Sequence, residues 1–337
     1  MKLILRLIAA VGALSLTAAA FAQKETTIRF VHEWRFEGHV APFLVAAEKG
    51  YFKAEGLNVT IDPGTGSLDS INRVASGTYD MSIADINSLI RYRDNPASVT
   101  VKAVMMVYDS PPFAILTLKK NNIRAPKDLE GKLLGAPAAD GAYAQWPILA
   151  KVNGIDVSKV RIDNVGFAVR EALLVQGKVD AVTAFGSNAL GIKANGVPED
   201  EIVILMMRRF GVDLYGSAIL AHPDFMRNSP QAVAGFNRAL IKGFQETFRD
   251  PEAAIDTLMR RNPIAKRDIE LARLKLVIEQ SYLTDEVRAN GFGGVDMKRL
   301  ERAIDQIAIA FKYTNKPKAA DIFTADFLPP REQRFVK

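Results

Sequence analysis

From Ala47 to Leu57 the chain reads Ala-Glu-Lys-Gly-Tyr-Phe-Lys-Ala-Glu-Gly-Leu, and no other run constrains the fold as much. Gly50 is placed to stop a helix that begins near Pro42, Tyr51-Phe52 reads as an aromatic turn, and Gly56 leads into a strand. An apolar strand, Thr27 to His32, precedes that helix, and Leu57 to Ile61 follows the second glycine. Ser67 is expected to N-cap a helix, Leu68 to Ser76, with a buried stripe of Leu68, Ile71, Val74 and Ala75. Gly77 ends it, and Met81 to Ala84 opens a third strand. This β-α-β-α-β order implies a parallel sheet with right-handed crossovers.

The pattern then begins again. After the strand Val101 to Tyr108, Asp109-Ser110-Pro111-Pro112 breaks the chain before the strand Phe113 to Lys119. Strands at Lys132 to Ala136, Val160 to Val165 and Val179 to Phe185 alternate with a helix reaching Val152 and another over Val169 to Gln176. Ile202 to Met207 is one more strand, and Ser217 to Ala221 reads as a return to the first set. The rest is helical. Ser229-Pro230 opens a helix with Val233, Phe236, Leu240, Phe244 and Phe248 on its apolar side, Asp250-Pro251 opens the next, and Met297 to Phe311 is the last. A chain that leaves one α/β lobe, builds a second and returns crosses between them twice. Crossings near Ser110 and Gly211 would make a hinge with a ligand cleft between the lobes.

Met1 to Ala22 has the parts of a secretory signal: Lys2 and Arg6, an apolar run from Leu7 to Ala20, and Ala20-Phe21-Ala22 before Gln23. The run is short for a membrane span, which takes about 20 residues. There is no Cys, so the core must suffice without disulfides. With three His and no His-Glu-x-x-His, no metal site is expected. The formal charge of +6 is spread over interspersed basic and acidic residues, which argues against a nucleic-acid partner. Neither a Walker loop nor a Gly-x-Ser-x-Gly elbow occurs, and no cofactor is expected.

Four motifs occur in order: Gly50-Tyr51-Phe52 with Glu55-Gly56-Leu57, then Ser76-Gly77-Thr78-Tyr79-Asp80, then Lys127-Asp128-Leu129-Glu130-Gly131-Lys132, then Gln176-Gly177-Lys178-Val179-Asp180-Ala181. In this order and spacing they resemble the periplasmic solute-binding proteins of the sulfonate, nitrate and thiamine-pyrimidine transport group. The resemblance implies an α/β, two-lobed type II periplasmic-binding-protein fold, each lobe a mainly parallel sheet flanked by helices, with a hinge of two crossing segments. On that reading residues 1–22 are a signal peptide, 23–112 the first part of lobe 1, 113–212 lobe 2, and 213–337 the return strand and C-terminal helices of lobe 1. It further implies a soluble periplasmic monomer, without the lipid anchor that a Cys would carry. Such a protein delivers a small molecule to an ABC transporter permease and is not an enzyme. One relative in the family is an enzyme, the fungal pyrimidine synthase, which carries a Lys and a His in the segment matching Met81 to Ser88 and a Cys-rich segment besides. The matching positions here are Ala84 and Ser88, so that activity is not expected.

In this family the ligand lies at strand C-terminal ends and helix N-termini, as in open parallel sheets generally. The loop Glu33 to His39 resembles the pyrimidine-binding branch, with a Trp at the strand end and a His before the helix. Trp34 offers a face for stacking, or packs on its own lobe; His39 can donate or accept. Thr65 and Ser67, in Gly64-Thr65-Gly66-Ser67, begin a helix whose N–H groups can meet a ligand, although a plain capped turn reads equally well. Asp85, followed by Asn87, either accepts from an amine or caps a helix. Tyr108 lines the cleft near the hinge or packs there. Pro147 suits a first helical turn, so the helix is expected to start near Ala144, leaving Asp140, Gly141 and Tyr143 in a loop facing the cleft; the rival is an earlier start with a kink at Pro147. Phe185, beyond the Gly166-Phe167 loop, either closes a sandwich with Trp34 or is core. Aromatic faces with two Asp acceptors point to a small nitrogen heteroaromatic such as a thiamine pyrimidine precursor. The alternative is a small anion, an aliphatic sulfonate or nitrate, which the net charge and the glycine loop favour and the two Asp disfavour. A ligand-binding partner of a membrane sensor would use the same cleft.

Overall fold

The computed structural model describes residues 25–336, and the signal segment expected at 1–22 lies outside them. The first sheet holds β1 (Thr26–Val31), β2 (Leu57–Asp62), β3 (Met81–Asp85) and β4 (Lys102–Met106). The second holds β5 (Phe113–Leu118), β6 (Leu133–Gly135), β7 (Arg161–Asp163), β8 (Ala181–Phe185) and β9 (Ile202–Met206). β10 (Ser217–Ala221) returns to the first. The strand orders are β2-β1-β3-β10-β4 and β7-β6-β8-β5-β9. One strand in each sheet runs against the rest: β10 between β3 and β4, and β5 between β8 and β9. The remaining strands share one direction, so each sheet is mainly parallel with a reversed insert.

Each reversed strand is delivered by the passage of the chain between sheets. β4 reaches β5 through residues 107–112, and β9 reaches β10 through 207–216. The two crossings are hydrogen-bonded to each other. Val107 and Tyr108 both donate N–H to the Ser217 carbonyl at 3.0 Å, and Gly216 N–H donates to the Tyr108 carbonyl at 2.9 Å. A Cβ on Gly216 would lie 2.7 Å from that of Tyr108, so glycine is required for this approach.

Gly50 ends the Ala41–Glu48 helix at φ 72°, a conformation glycine adopts at low cost. Tyr51 and Phe52 are not a bare turn, because they open a further helical turn, Tyr51–Ala54, that swings Phe52 inward onto Phe236 with centroids 5.0 Å apart. The next helix spans Ser67–Ala75 and buries Ser67, Ser70, Ile71 and Val74. Leu68 is 45 % exposed, against expectation, because the two serines turn the helix towards the end of β1. Val233, Phe236, Leu240 and Phe244 of the long Pro230–Arg249 helix are buried as their spacing predicts. A second apolar cluster runs unbroken from Ala84, Ile86 and Leu89 of the first lobe into Phe113, Ile115, Trp146 and Leu149 of the second.

Candidate ligand-binding cleft

Where the C-terminal ends of β1 and β8 face each other, a cleft is lined on one side by Glu33, Trp34, Glu37 and Ser67. Asp140, Gly141, Arg170, Phe185, Ser187 and Asn188 line the other. Phe113 closes its base. The walls leave about 20 Å³, room for one water.

The lining is aromatic and acidic. Trp34 stands edge-on to Phe167, with centroids 4.3 Å apart, and its indole N–H donates to Glu37 Oε2 at 3.3 Å. Ser67 donates its hydroxyl to Glu33 Oε2 at 2.5 Å and accepts the Asp85 N–H at 3.1 Å. Burial pushes the Glu33 carboxyl up to about 7, with the nearby Ser217 and Ser67 hydroxyls opposing and the Asp85 and Asp140 charges adding. Asp140 caps the Gly141–Ala144 helix through Ala142 N–H (3.1 Å), accepts the Thr183 hydroxyl at 3.0 Å, and lies 3.6 Å from Arg170 Nη1. Burial raises its carboxyl too, against the pull of Arg170. Arg170 is 1 % exposed, paired with Glu171 at 2.7 Å, and its guanidinium lies 5.5 Å from the Trp34 ring. Glu37 is held by Arg35 at 2.5 Å and by Arg273 at 3.5 Å. Glu33 Oε1, Ser187 Oγ and Arg170 Nε are buried without a partner among the described residues. These are the groups with capacity left to bind something else.

Of the residues expected to face a ligand, Trp34, Ser67, Asp140 and Phe185 are on this lining, and six are not. Thr65 is exposed and donates to Asp69 of its own helix at 2.9 Å. Ser67 is the first helical residue rather than the cap, because its hydroxyl is drawn to Glu33. Both glycine N–H groups of the loop are turned inward: Gly64 N–H donates to Trp34 O (3.3 Å) and Gly66 N–H to Glu33 O (2.9 Å). Asp85 is saturated, accepting from Asn87 and Ser88 as the cap of the Ile86–Tyr92 helix and from Gln145 Nε2 of the other lobe at 2.9 Å. Asn87 spends its amide on Asp85 and on the Tyr215 carbonyl at 2.6 Å.

Tyr108 is fully buried, its hydroxyl 3.2 Å from that of Tyr282, which donates to the His39 carbonyl. His39 is buried behind Phe185, and burial, with Arg273 and Arg35 nearby, holds it down at about 3, hence neutral. Tyr143 lies within a helix that starts at Gly141, not near Ala144, because Asp140 caps it there. The chain restarts as Trp146–Val152, with Pro147 in that first turn. Trp34 meets Phe167 rather than Phe185, which packs on Phe113 at 5.7 Å. Sequence reasoning passed over Glu33, Glu37, Phe113, Arg170, Ser187 and Asn188. Glu33 and Glu37 carried a signal, as acids in the loop already chosen for Trp34, and so did Ser187 and Asn188, as polar residues directly after Phe185.

A family model described as NMT1/THI5 like matches residues 37–254. The formylaminopyrimidine-binding protein of Halalkalibacterium halodurans is 28% identical over 307 residues, covering 88% of each chain. The riboflavin-binding protein RibY of Chloroflexus aurantiacus is 25% identical over 295 residues, 86% of this chain and 82% of that one. A 4-amino-5-hydroxymethyl-2-methylpyrimidine phosphate synthase of Aspergillus parasiticus is 24% identical over 320 residues, 92% and 87% of the two chains. Among solved structures, the alkanesulfonate-binding protein SsuA from Xanthomonas axonopodis superposes with a TM-score of 0.68 at 15% identity, over 91% of this chain and 99% of that one. The periplasmic nitrate-binding protein NrtA of Synechocystis gives 0.69 at 12% identity, over 90% and 87%. The fold is that of the periplasmic binding proteins.

Proposed function

The chain belongs to the NMT1/THI5-like family, and from that premise we propose that it is a periplasmic solute-binding protein. It closes over a small nitrogen heteroaromatic, of the pyrimidine-precursor kind, and passes it to an ABC importer permease. One observation carries this reading: the unpartnered Glu33 Oε1 lies in a lining that also holds Trp34, Phe185 and Asp140. Ring N–H and amino groups are donors, and the Glu33 and Asp140 carboxyl oxygens are acceptors for them. Trp34 supplies the flat apolar wall. The names of two relatives, which speak of a formylaminopyrimidine and of riboflavin, agree in ligand chemistry.

The protein binds without catalysis in this reading, although relatives are named as synthases. Ala84 is buried in β3 and Ser88 is committed to Asp85, so the two positions that carry Lys and His in the enzyme branch hold inert groups here. A small anion is the second reading, favoured by the unpartnered Nε of Arg170. Asp140 and Glu171 flank that guanidinium, and an added anion would compete with both.

Ligand-free protein, prepared by unfolding and refolding, should be screened by thermal shift against aminopyrimidines, riboflavin, alkanesulfonates and nitrate. A ligand at about 100 times its Kd adds roughly 2.7 kcal/mol, or several degrees. An aminopyrimidine is expected to give that shift and to lose about tenfold in affinity in Asp140→Asn. A shift with sulfonate or nitrate alone overturns the reading.

A further inference from the structure

A second cavity, of about 260 Å³, opens behind the turn that follows β8. Its floor is apolar, built from Leu190, Ile202, Ile204, Met206 and Leu276. Ile204 is 42 % exposed although it lies in β9, the edge strand of the second sheet. The rim is cationic. Lys193, Arg208 and Arg209 face one carboxylate, Glu199, which Lys193 already holds at 2.6 Å. Two guanidiniums are left beside an apolar floor with no carboxylate between them among the described residues.

The cavity is built into the working parts of the molecule. Ser187 and Asn188 face the cleft, whereas Gly186, in the same turn, faces the cavity. A Cβ on Gly186 would lie 2.7 Å from Met206 Sδ, so the turn is pressed against the cavity floor. Gly186 N–H donates to the Pro112 carbonyl of the first crossing at 2.8 Å. Arg208 donates to the Ser110 hydroxyl of that crossing at 2.7 Å and to the Gln280 carbonyl of the first lobe at 3.2 Å.

We propose that this cavity is a second binding site, for an organic anion with an apolar body, of the class of a medium-chain carboxylate. The apolar tail covers Ile204, Leu190 and Leu276, and the head group meets Arg208 and Arg209. An inorganic anion would leave the floor wet, and a neutral hydrophobe would leave the cations unpaired, so both halves of the ligand are needed.

The test is calorimetric titration of hexanoate into the full chain and into Arg209→Glu, Ile204→Asp and Trp34→Ala. Arg209 and Ile204 are exposed, so those variants retain the fold, which their melting curves check. The expected result is saturable binding to wild type, unchanged in Trp34→Ala and weakened at least about tenfold in each of the other two. Absence of saturable binding to wild type overturns the proposal. So does binding that Arg209→Glu and Ile204→Asp leave intact, or binding that Trp34→Ala abolishes, which would put hexanoate in the cleft. The Trp34→Ala arm separates binding in this cavity from binding in the cleft.

Discussion

At the residue scale, Glu33 links the stability of the fold to the proposed recognition of ligand. Its folded carboxyl, near 7, lies above the value of about 4.3 for an unfolded glutamate. The folded state therefore holds the extra proton. The stability this provides is complete below about pH 4 and is lost as pH rises through about 7, a difference on the order of 3 kcal/mol. Glu33→Gln cannot ionise, so it should melt above wild type at pH 8 and close to it at pH 4, as parallel thermal melts would reveal. Trp34→Ala should weaken heteroaromatic binding by about 1–2 kcal/mol, and titration of the refolded protein would measure it. Part of the candidate cleft was legible: Trp34, Asp140 and Phe185 lie at strand ends, where open parallel sheets generally put a ligand. Asp85 misleads because Asp-x-Asn-Ser also spells a local helix cap, and the cap takes the carboxylate. Arg170 was invisible because its burial depends on Asp140 and Trp34, far away in the chain.

At the scale of elements, glycines set how closely the two lobes meet. Gly66 has φ 121°, and a Cβ there would lie 2.5 Å from the Ala139 carbonyl oxygen of the opposite wall. Gly66→Ala should therefore cost about 1–3 kcal/mol of stability and weaken ligand binding, whereas Gly77→Ala, with open space around it, should spare binding. Urea denaturation and titration of both variants separate the two effects. The strands and most helices were readable from apolar runs and Gly or Pro stops. The exposed Leu68 was not, because hydrophobic periodicity cannot foresee that the Glu33 carboxylate and the His32 carbonyl draw Ser67 and Ser70 onto the inner face.

For the whole molecule, the apolar cluster that joins Ile86 and Leu89 to Phe113 and Trp146 ties the lobes on the hinge side. Gln145 to Asp85 at 2.9 Å and Arg273 to the Ser187 carbonyl at 3.3 Å add polar ties between them. Calorimetry should accordingly show one unfolding transition, with van't Hoff and calorimetric enthalpies in agreement. Two resolved peaks would mean that the lobes unfold independently. The reversed strand in each sheet also sets an order of assembly. The second sheet is contiguous, from Phe113 to Met206, and can form as soon as that stretch is available. The first must wait for Ser217–Ala221, since until then β3 and β4 have bare edges where β10 belongs. While residues 107–216 are being made, the nascent chain thus carries open, apolar strand edges, a state that pairs readily with other chains. A holding chaperone that covers residues 81–106 until the return strand emerges is the kind of assistance this topology demands.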